Sequence, residues 1–247
     1  DVIRYEGPNT IAAVFLETIV GTNGILIPPD GYLAGVRELC DRYGILMVCD
    51  EVMAGFGRTG RWFAVDHWDV VPDLMTMAKG LTSSYLPLGA VAMRQHIAEF
   101  FDEHMFYGGL TYSSHPISLA AALATIRVYE EDGLIENAAR LGERMRQHHE
   151  RLAANHPSVG ARRNLGLFGI LDLVRSRDPW TPMTPFNGSS DEMKAVGRYL
   201  RDHGLYTMIA NNSIHTNPPL CITEEELAHG FDIIDGALEI ADRAVTG

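Results

Sequence analysis

The chain has 247 residues, 46% hydrophobic and 21% charged, a balance that allows a sizeable core and excludes a disordered chain. Its 32 acidic and 20 basic residues give a formal net charge of −12, which argues against binding to nucleic acid or to an anionic membrane surface. Three scattered cysteines, no apolar run of membrane-spanning length and no signal-peptide pattern favour a cytoplasmic globular protein without a disulfide framework, a metal site or a membrane partner.

The first half of the chain alternates short apolar runs with helical patterns. A helix is predicted over residues 32–43, and buried strands over residues 11–16, 45–49, 74–78 and 89–93. The first three strands end at charged residues, namely Glu17, Asp50 and Lys79. This alternation indicates an α/β sheet with a site at the carboxyl edge of its strands.

The second half has a different character. Helices are predicted over residues 116–131 and 134–155, and strands over residues 165–174 and 205–209. Two capping boxes, Ser189–Glu192 and Thr223–Glu226, each predict the start of a helix. We therefore expect residues 1–150 to be the later part of a large, mainly parallel-sheet domain, and residues 151–247 to form a smaller α+β domain.

Residues 55–60, Gly-Phe-Gly-Arg-Thr-Gly, match the letters of a dinucleotide-binding motif. In that motif the glycines lead directly from a strand into a helix. Here they lie several residues beyond Asp50, and an aromatic stretch without a clean helical stripe follows them. We therefore favour a glycine-rich turn, with a nicotinamide-dependent enzyme as a remote alternative.

A strand-end acid, Asp50, and a strand-end lysine, Lys79, form the candidate catalytic pair. A lysine before glycine is most often a solvated charge, but Lys79 ends an apolar strand, so we expect its amine to point into a site. A desolvated lysine is a nucleophile toward carbonyls, and a buried acid opposite it suits a pyridinium nitrogen. The pair therefore fits pyridoxal 5'-phosphate (PLP) better than a simple ion pair.

Further short motifs follow in one order along nearly the whole chain. They are Asp50-Glu51-Val52 before residues 55–60, Pro72-Asp73, Ala78-Lys79-Gly80, Leu88-Gly89-Ala90, Gly109 to Pro116, and Asn217-Pro-Pro-Leu220. Together they resemble the class III aminotransferases, which act on ω-amino acids and amines and belong to PLP fold type I. The resemblance implies that fold, PLP as cofactor and aminotransferase activity.

The same resemblance implies roles for individual residues. Lys79 matches the lysine that forms the Schiff base with PLP, Asp50 the partner of the pyridine nitrogen, and Val52 a residue packed against one ring face. Thr111 matches a hydroxyl that reaches the phosphate of the neighbouring subunit's cofactor, which implies a homodimer with shared sites. Alternatively, Thr111 belongs to the capped start of the helix that follows it. Glu17 matches an acid beside the cofactor, and a strand-end salt bridge is an equal alternative.

The chain also departs from the family pattern. Many relatives carry a carboxylate-binding arginine shortly before the Pro-Pro near the C-terminus, but residues 205–219 contain none. His215 and the pair Asn211-Asn212 are weak substitutes for it, since such residues are more often solvated turns. How a carboxylate substrate binds therefore stays open.

Two further positions differ, and one segment is absent from the sequence. Thr18 replaces a common proline, and Asn164 replaces a common glycine after Arg162-Arg163, which leaves open which arginine serves the family's role. In the family, the loop that cradles the PLP phosphate and the aromatic residue stacked on the ring precede the motifs present here. We therefore expect these parts upstream of Asp1.

The resemblance implies transamination from an ω-amino acid or amine, β-alanine- or taurine-like, to a 2-oxo acid such as pyruvate. Lys79 would act as general base and acid, with Asp50 holding the ring protonated. Two alternatives remain: a PLP-dependent aminomutase of the glutamate-semialdehyde type, and a non-catalytic fragment or interaction module.

Overall fold

Three apolar runs of the first half form the parallel part of one sheet in the computed structural model, which describes residues 1–246. The strands are β1 (Ala13–Glu17), β2 (Leu46–Asp50), β3 (Leu74–Met77) and β4 (Ala90–Met93). They lie in the order β1-β2-β3-β4, and only the last pair is antiparallel. Their helices are α1 (Val2–Glu6), α2 (Tyr32–Tyr43), α3 (Gln95–Glu103) and α4 (Pro116–Glu131).

Helix α2 has the bounds predicted from its pattern. It ends at Gly44, whose φ of 66° is left-handed and whose N–H donates to the carbonyl of Cys40. Because glycine adopts this conformation without steric cost, the chain can turn directly into β2. The core beside the sheet is built from apolar side chains of both elements and of the segment after them, namely Leu33, Cys40, Ile45, Met47, Cys49, Val65 and Val70.

The second half forms an antiparallel sheet with three helices. Its strands are β5 (Val159–Leu165), β6 (Phe168–Arg177), β7 (Trp180–Pro182), β8 (Ile209–Ala210) and β9 (Ser213–Thr216). The order is β5-β6-β9-β8, with β7 paired to β6. The helices are α5 (Leu134–Asn155), α6 (Asp191–Asp202) and α7 (Glu224–Asp242).

Several local predictions for this half need correction. The strand predicted over residues 205–209 lies further along, in the hairpin of β8 and β9, whose turn contains Asn211 at a φ of 51°. Strand β5 had no predicted counterpart. The cap of α6 is Ser190 rather than Ser189, since its hydroxyl accepts the N–H of Met193 at 3.2 Å. The capping box of Thr223 and Glu226 is present with both hydrogen bonds.

The chain forms two compact units, and the boundary between them lies within α5. The first unit is Asp1–Ile135, and the second starts at Glu136. The expected domain boundary near residue 150 lies in the same helix. None of the helices that the structure describes is both long and apolar enough to cross a membrane.

Candidate active site

The carboxyl ends of the three parallel strands place three polar side chains side by side. Glu17 is paired with Asp50, and Asp50 with Thr76, in the register of the sheet. Partners in a parallel register project from the same face, so the three side chains share one face of the sheet at its carboxyl edge. This is the edge at which open α/β sheets bind their ligands.

The carboxylate of Asp50 is oriented by the turn that follows β2. Its Oδ1 accepts the N–H of Val52 at 2.8 Å, and both residues are half-buried. Among the described residues no donor contacts the second oxygen, Oδ2. The strand end therefore presents an anchored carboxylate that can accept one more hydrogen bond.

Lys79 follows the end of β3 and begins a short 3-10 turn, Lys79–Leu81. Its φ of 40° is left-handed, which is uncommon for a residue with a side chain, and the residue is exposed. The chain contains only one other lysine, Lys194. Lys194 lies exposed on α6, with its Nζ 3.2 Å from the Asp191 carboxylate. The scarcity of lysine was a signal in the sequence that singles out Lys79.

Glu51 is a structurally important residue that the sequence reasoning did not assign. Its side chain is fully buried and accepts three hydrogen bonds, from the Thr18 hydroxyl at 2.7 Å and from the N–H groups of Ala64 and Val65 at 2.9 Å. Burial raises the pKa of Glu51, and these donors oppose the shift. Glu51 thus joins the end of β1 to the loop beyond Asp50, and Thr18 gains a partner that a proline cannot supply.

The remaining predicted site residues lie in different settings. Glu17 accepts the N–H of Gly21 at 2.8 Å, and it has no ion pair among residues 1–246. Thr111 is exposed in the segment between α3 and α4. The N-terminal cap of α4 is His115, so Thr111 does not cap that helix. The structure brings Glu17, Asp50 and Val52 to one strand edge, whereas Thr111 forms no hydrogen bond with them in residues 1–246.

The candidate substitutes for the missing arginine lie in the second unit, where the two asparagines have structural roles. Asn212 donates to the carbonyl of Leu173 at 3.0 Å, and Asn211 forms the hairpin turn. His215 is buried in β9, and burial lowers its pKa. Of the two arginines, Arg163 pairs with Asp172 at 2.7 Å, while the exposed Arg162 lies 3.6 Å from Glu150.

Asn164 has a role that glycine cannot perform at that position. Its Nδ2 donates to the carbonyls of Gly142 and Gly166, at 2.9 and 3.0 Å. These two bonds link α5 to the turn between β5 and β6. The departure from the family's common glycine therefore strengthens the local structure of this unit.

Residues 55–60 form a glycine-rich loop rather than the start of a helix. Gly57 and Gly60 have φ values of 85° and 82°, and a short 3-10 turn, Ala64–His67, follows. A dinucleotide motif requires an α-helix whose N-terminus faces the pyrophosphate, and this loop provides none. The nicotinamide alternative therefore has no structural support.

The residues at the strand edge suit PLP. Asp50 offers an anchored carboxylate to a protonated ring nitrogen, and Lys79 offers a solvent-accessible amine. The buried hydroxyl oxygen of Thr76, beside Asp50 in the register, has no hydrogen-bond partner among the described residues. A polar group at this edge would satisfy it. No cluster of three or more metal-ligating side chains occurs in residues 1–246.

Comparison with known proteins gives one consistent result. The class-III aminotransferase family matches residues 1–238. The chain is 37% identical over 226 residues to a putrescine–pyruvate aminotransferase of Pseudomonas aeruginosa, covering 90% of this chain and 48% of that protein. It is 34% identical over 248 residues to a taurine–pyruvate aminotransferase of Bilophila wadsworthia, covering 94% and 53%. The chain thus spans about half the length of the curated relatives it matches.

A solved structure extends this similarity to the fold. The taurine:2-oxoglutarate aminotransferase of Bifidobacterium kashiwanohense, in complex with PLP and glutamate, aligns with a TM-score of 0.95 and 40% sequence identity. The alignment covers 99% of this chain and 55% of that one. The predicted fold class, an α/β protein of PLP fold type I with a parallel-strand sheet, is confirmed. The chain belongs to the class-III aminotransferases.

Proposed function

We propose that the protein transfers an amino group from an ω-amino acid or amine to a 2-oxo acid, with PLP as cofactor. The observation that carries this proposal is the placement of Asp50 and Lys79 at the ends of neighbouring strands. This arrangement puts a fixed anion and an accessible amine at one sheet edge. Such a pair suits a cofactor with a basic ring nitrogen and a carbonyl carbon.

Each side chain at the edge has a distinct task in this proposal. Lys79 Nζ would hold the carbonyl carbon of the cofactor, and as a free amine it would move a proton as general base and general acid. Asp50 would hold a proton on the ring nitrogen, and Val52 would contact one ring face. PLP itself supplies, when bound, a conjugated ring that takes up the electron pair of the substrate C–H bond.

The substrate proposal rests on the relatives. One is named for putrescine and pyruvate, and another for taurine and pyruvate. The third is named for taurine and 2-oxoglutarate. We propose a β-alanine- or taurine-like donor and pyruvate as acceptor. Glu17 is in register with Asp50. In this proposal it would lie beside the cofactor, where its carboxylate would attract a cationic donor.

A homodimer is the second part of the proposal. Helix α3 and the segment that contains Thr111 expose large apolar side chains, which in a single chain would face water, namely Phe100, Met105, Phe106, Tyr107, Leu110 and Tyr112. A second copy of the chain would cover them and bring Thr111 to the cofactor phosphate of its partner. A cytoplasmic location stays a prediction of the sequence.

The test is a donor and acceptor screen of the full-length protein with PLP. β-Alanine, taurine and putrescine are each offered with pyruvate or 2-oxoglutarate, and alanine or glutamate formation is measured. The proposal predicts alanine formation from at least one of these donors. Turnover of an amino aldehyde without any acceptor would instead identify an aminomutase, and no turnover with any donor would indicate a non-catalytic protein.

A further inference from the structure

Lys79 lies in a backbone turn that is unusual for its residue types. Within residues 79–84, which we call the Lys79 turn, Lys79, Ser83 and Ser84 have left-handed φ values of 40°, 48° and 63°. Each such conformation costs free energy for a residue with a side chain and persists only where the surroundings hold it. The direction of the Lys79 side chain depends on this backbone, so the contacts that hold the turn matter.

One of these contacts comes from a tyrosine about fifty residues further along the chain. The hydroxyl of Tyr129, on α4, donates to the carbonyl of Gly80 at 2.8 Å. The N–H of Ser83 donates to the same carbonyl at 3.2 Å. Tyr129 is only 6% exposed, and burial raises its pKa, so the hydroxyl is protonated and acts as the donor.

A second contact is steric. A Cβ atom added to Gly80 would lie 2.7 Å from the Cβ of Phe56 and 3.3 Å from two of its ring atoms. Phe56 is itself held by aromatic neighbours. Its ring stacks on Tyr129, with centroids 6.2 Å apart, and meets the ring of Phe63 edge-on at 5.4 Å. The ring of Trp62 packs edge-on against Tyr129 at 6.1 Å.

The Lys79 turn therefore rests on a small aromatic cluster formed by Phe56, Trp62, Phe63 and Tyr129. Phe56, Trp62 and Phe63 belong to the loop after β2, and Tyr129 to α4. Aromatic contacts of this kind add to the free energy of simple burial. The cluster thus joins the loop beyond Asp50, the Lys79 turn and α4 into one rigid support.

We propose that Tyr129 is a positioning residue for Lys79: its hydrogen bond to Gly80, with Phe56 packed against the same glycine, holds the Lys79 turn so that the lysine amine meets the cofactor. This inference rests on the proposed role of Lys79. Tyr129 acts through the backbone at Gly80, and it needs no contact with the cofactor or the substrate.

The first test is Tyr129→Phe in the full-length protein with PLP. This change keeps the ring in the cluster and removes only the hydrogen bond. We expect kcat to fall about fivefold with KM within about twofold, which corresponds to the loss of one hydrogen bond in the active arrangement. Tyr5→Phe is the matched control, since Tyr5 is 87% exposed on α1 and should show unchanged kcat.

A second readout does not depend on turnover. Amide hydrogen exchange of the apo protein is measured over the peptide that contains residues 79–85. Several N–H groups there bond within the turn, including those of Thr82, Ser83 and Ser84. Tyr129→Phe should speed exchange in this peptide about fivefold and leave the α2 peptides unchanged.

The steric contact is tested by a double-mutant cycle. Gly80→Ala introduces the clash with the Cβ of Phe56, and Phe56→Gly, which removes that Cβ, creates room for it. The proposal predicts that kcat of the double variant exceeds that of Gly80→Ala, which a pair without coupling would not show.

Two outcomes would overturn the inference while leaving the role of Lys79 intact. One is a Tyr129→Phe protein with the kcat, KM and exchange rates of the wild type. The other is a uniform loss of folded protein, seen as faster exchange throughout the first unit. Failure of the proposed function is recognised separately, by a Lys79→Ala protein that keeps its turnover.

Discussion

At the scale of single residues, the carboxylate of Asp50 gives a direct prediction. It is anchored through Oδ1 to the N–H of Val52, and Asn has nearly the same shape without the charge. Asp50→Asn should therefore keep the fold and the covalent attachment of PLP to Lys79. It should slow the half-reaction with an amine donor by at least about a hundredfold, because the ring nitrogen loses its anion.

The measurement is a stopped-flow trace of the cofactor absorbance after the donor is added. Asp30→Asn is the matched control, since Asp30 is an exposed carboxylate of the first unit that lies outside the strand edge. A half-reaction in Asp50→Asn as fast as in the wild type would show that Asp50 is not the partner of the ring nitrogen.

The sequence predicted Asp50 and Lys79 as candidates because both end apolar strands and stand in recognisable motifs. It did not predict the contacts of Glu51 and Tyr129. The hydrogen bonds of Glu51 reach residues 13 and 14 positions away, and that of Tyr129 reaches across 49 positions. Such contacts depend on how elements pack, which local residue patterns do not encode.

At the scale of elements, the surroundings of two glycines in helices predict opposite effects of a glycine-to-alanine substitution. In α5, a Cβ on Gly142 would lie 2.4 Å from the Cα of Gly166, a backbone atom that cannot easily move. We expect Gly142→Ala to lower the free energy of unfolding of the second unit by about 1–3 kcal/mol. In α2, a Cβ on Gly35 would meet nothing within 4 Å, so Gly35→Ala should stabilise its helix by up to about 1 kcal/mol.

Thermal unfolding followed by circular dichroism measures both variants. Equal effects of the two substitutions would contradict the close approach of α5 to the turn at Gly166.

A buried histidine in α5 makes the stability of the second unit depend on pH. His149 is fully buried, and burial, with the positive charges of Arg162 and His148, lowers its pKa to about 3. In the unfolded chain it titrates near 6.5. Between the folded and the unfolded pKa of His149, the unfolded state takes up a proton that the folded state does not. The free energy of unfolding therefore falls as pH falls, and His149 contributes about 1.4 kcal/mol per pH unit to this decrease.

Hydrogen exchange of the α5 amides at pH values from 7 to 4 measures this slope, and His149→Gln should flatten it. His156 provides an opposite control. Burial opposes protonation there, but hydrogen bonds to Asp235 and Asp242 raise the pKa of His156 above 6.5. Its stabilisation is present below pH 6.5 and is lost as pH rises through the folded pKa, so His156→Gln should cost more at pH 6 than at pH 9.

Helices and strands were predicted correctly where the residue pattern of the element itself defines it. The prediction failed where a turn determines the position of a strand. Helices α2, α4 and α5 have the predicted bounds because their periodicity and end signals lie within the helices themselves. The strand predicted over residues 205–209 was misplaced, because Asn211-Asn212 was interpreted as a solvated turn and not as the turn that joins two paired strands. Strand β5 was not predicted, because Arg162 and Arg163 interrupt its apolar pattern.

At the scale of the whole molecule, dimerisation is a prediction with a clear surface. Leu110 is 82% exposed beside Thr111, and a partner would bury it. Leu110→Glu should weaken the dimer at least about tenfold, since a charge buried without a partner is costly. Analytical ultracentrifugation measures this, with Val2→Glu, an exposed residue of α1, as the control. A monomeric wild-type protein would contradict the proposed shared site.

The most direct test of the account is to find the lysine that binds PLP. The full-length protein is incubated with PLP, reduced with borohydride, digested and analysed by mass spectrometry. We predict a reduced pyridoxyl adduct on the peptide that contains Lys79 and none on Lys194, which lies paired with Asp191 on α6. Lys79→Ala should lose the adduct, the visible absorbance and turnover, whereas Lys194→Ala should keep all three. An adduct on Lys194, or turnover that survives in Lys79→Ala, would contradict the account.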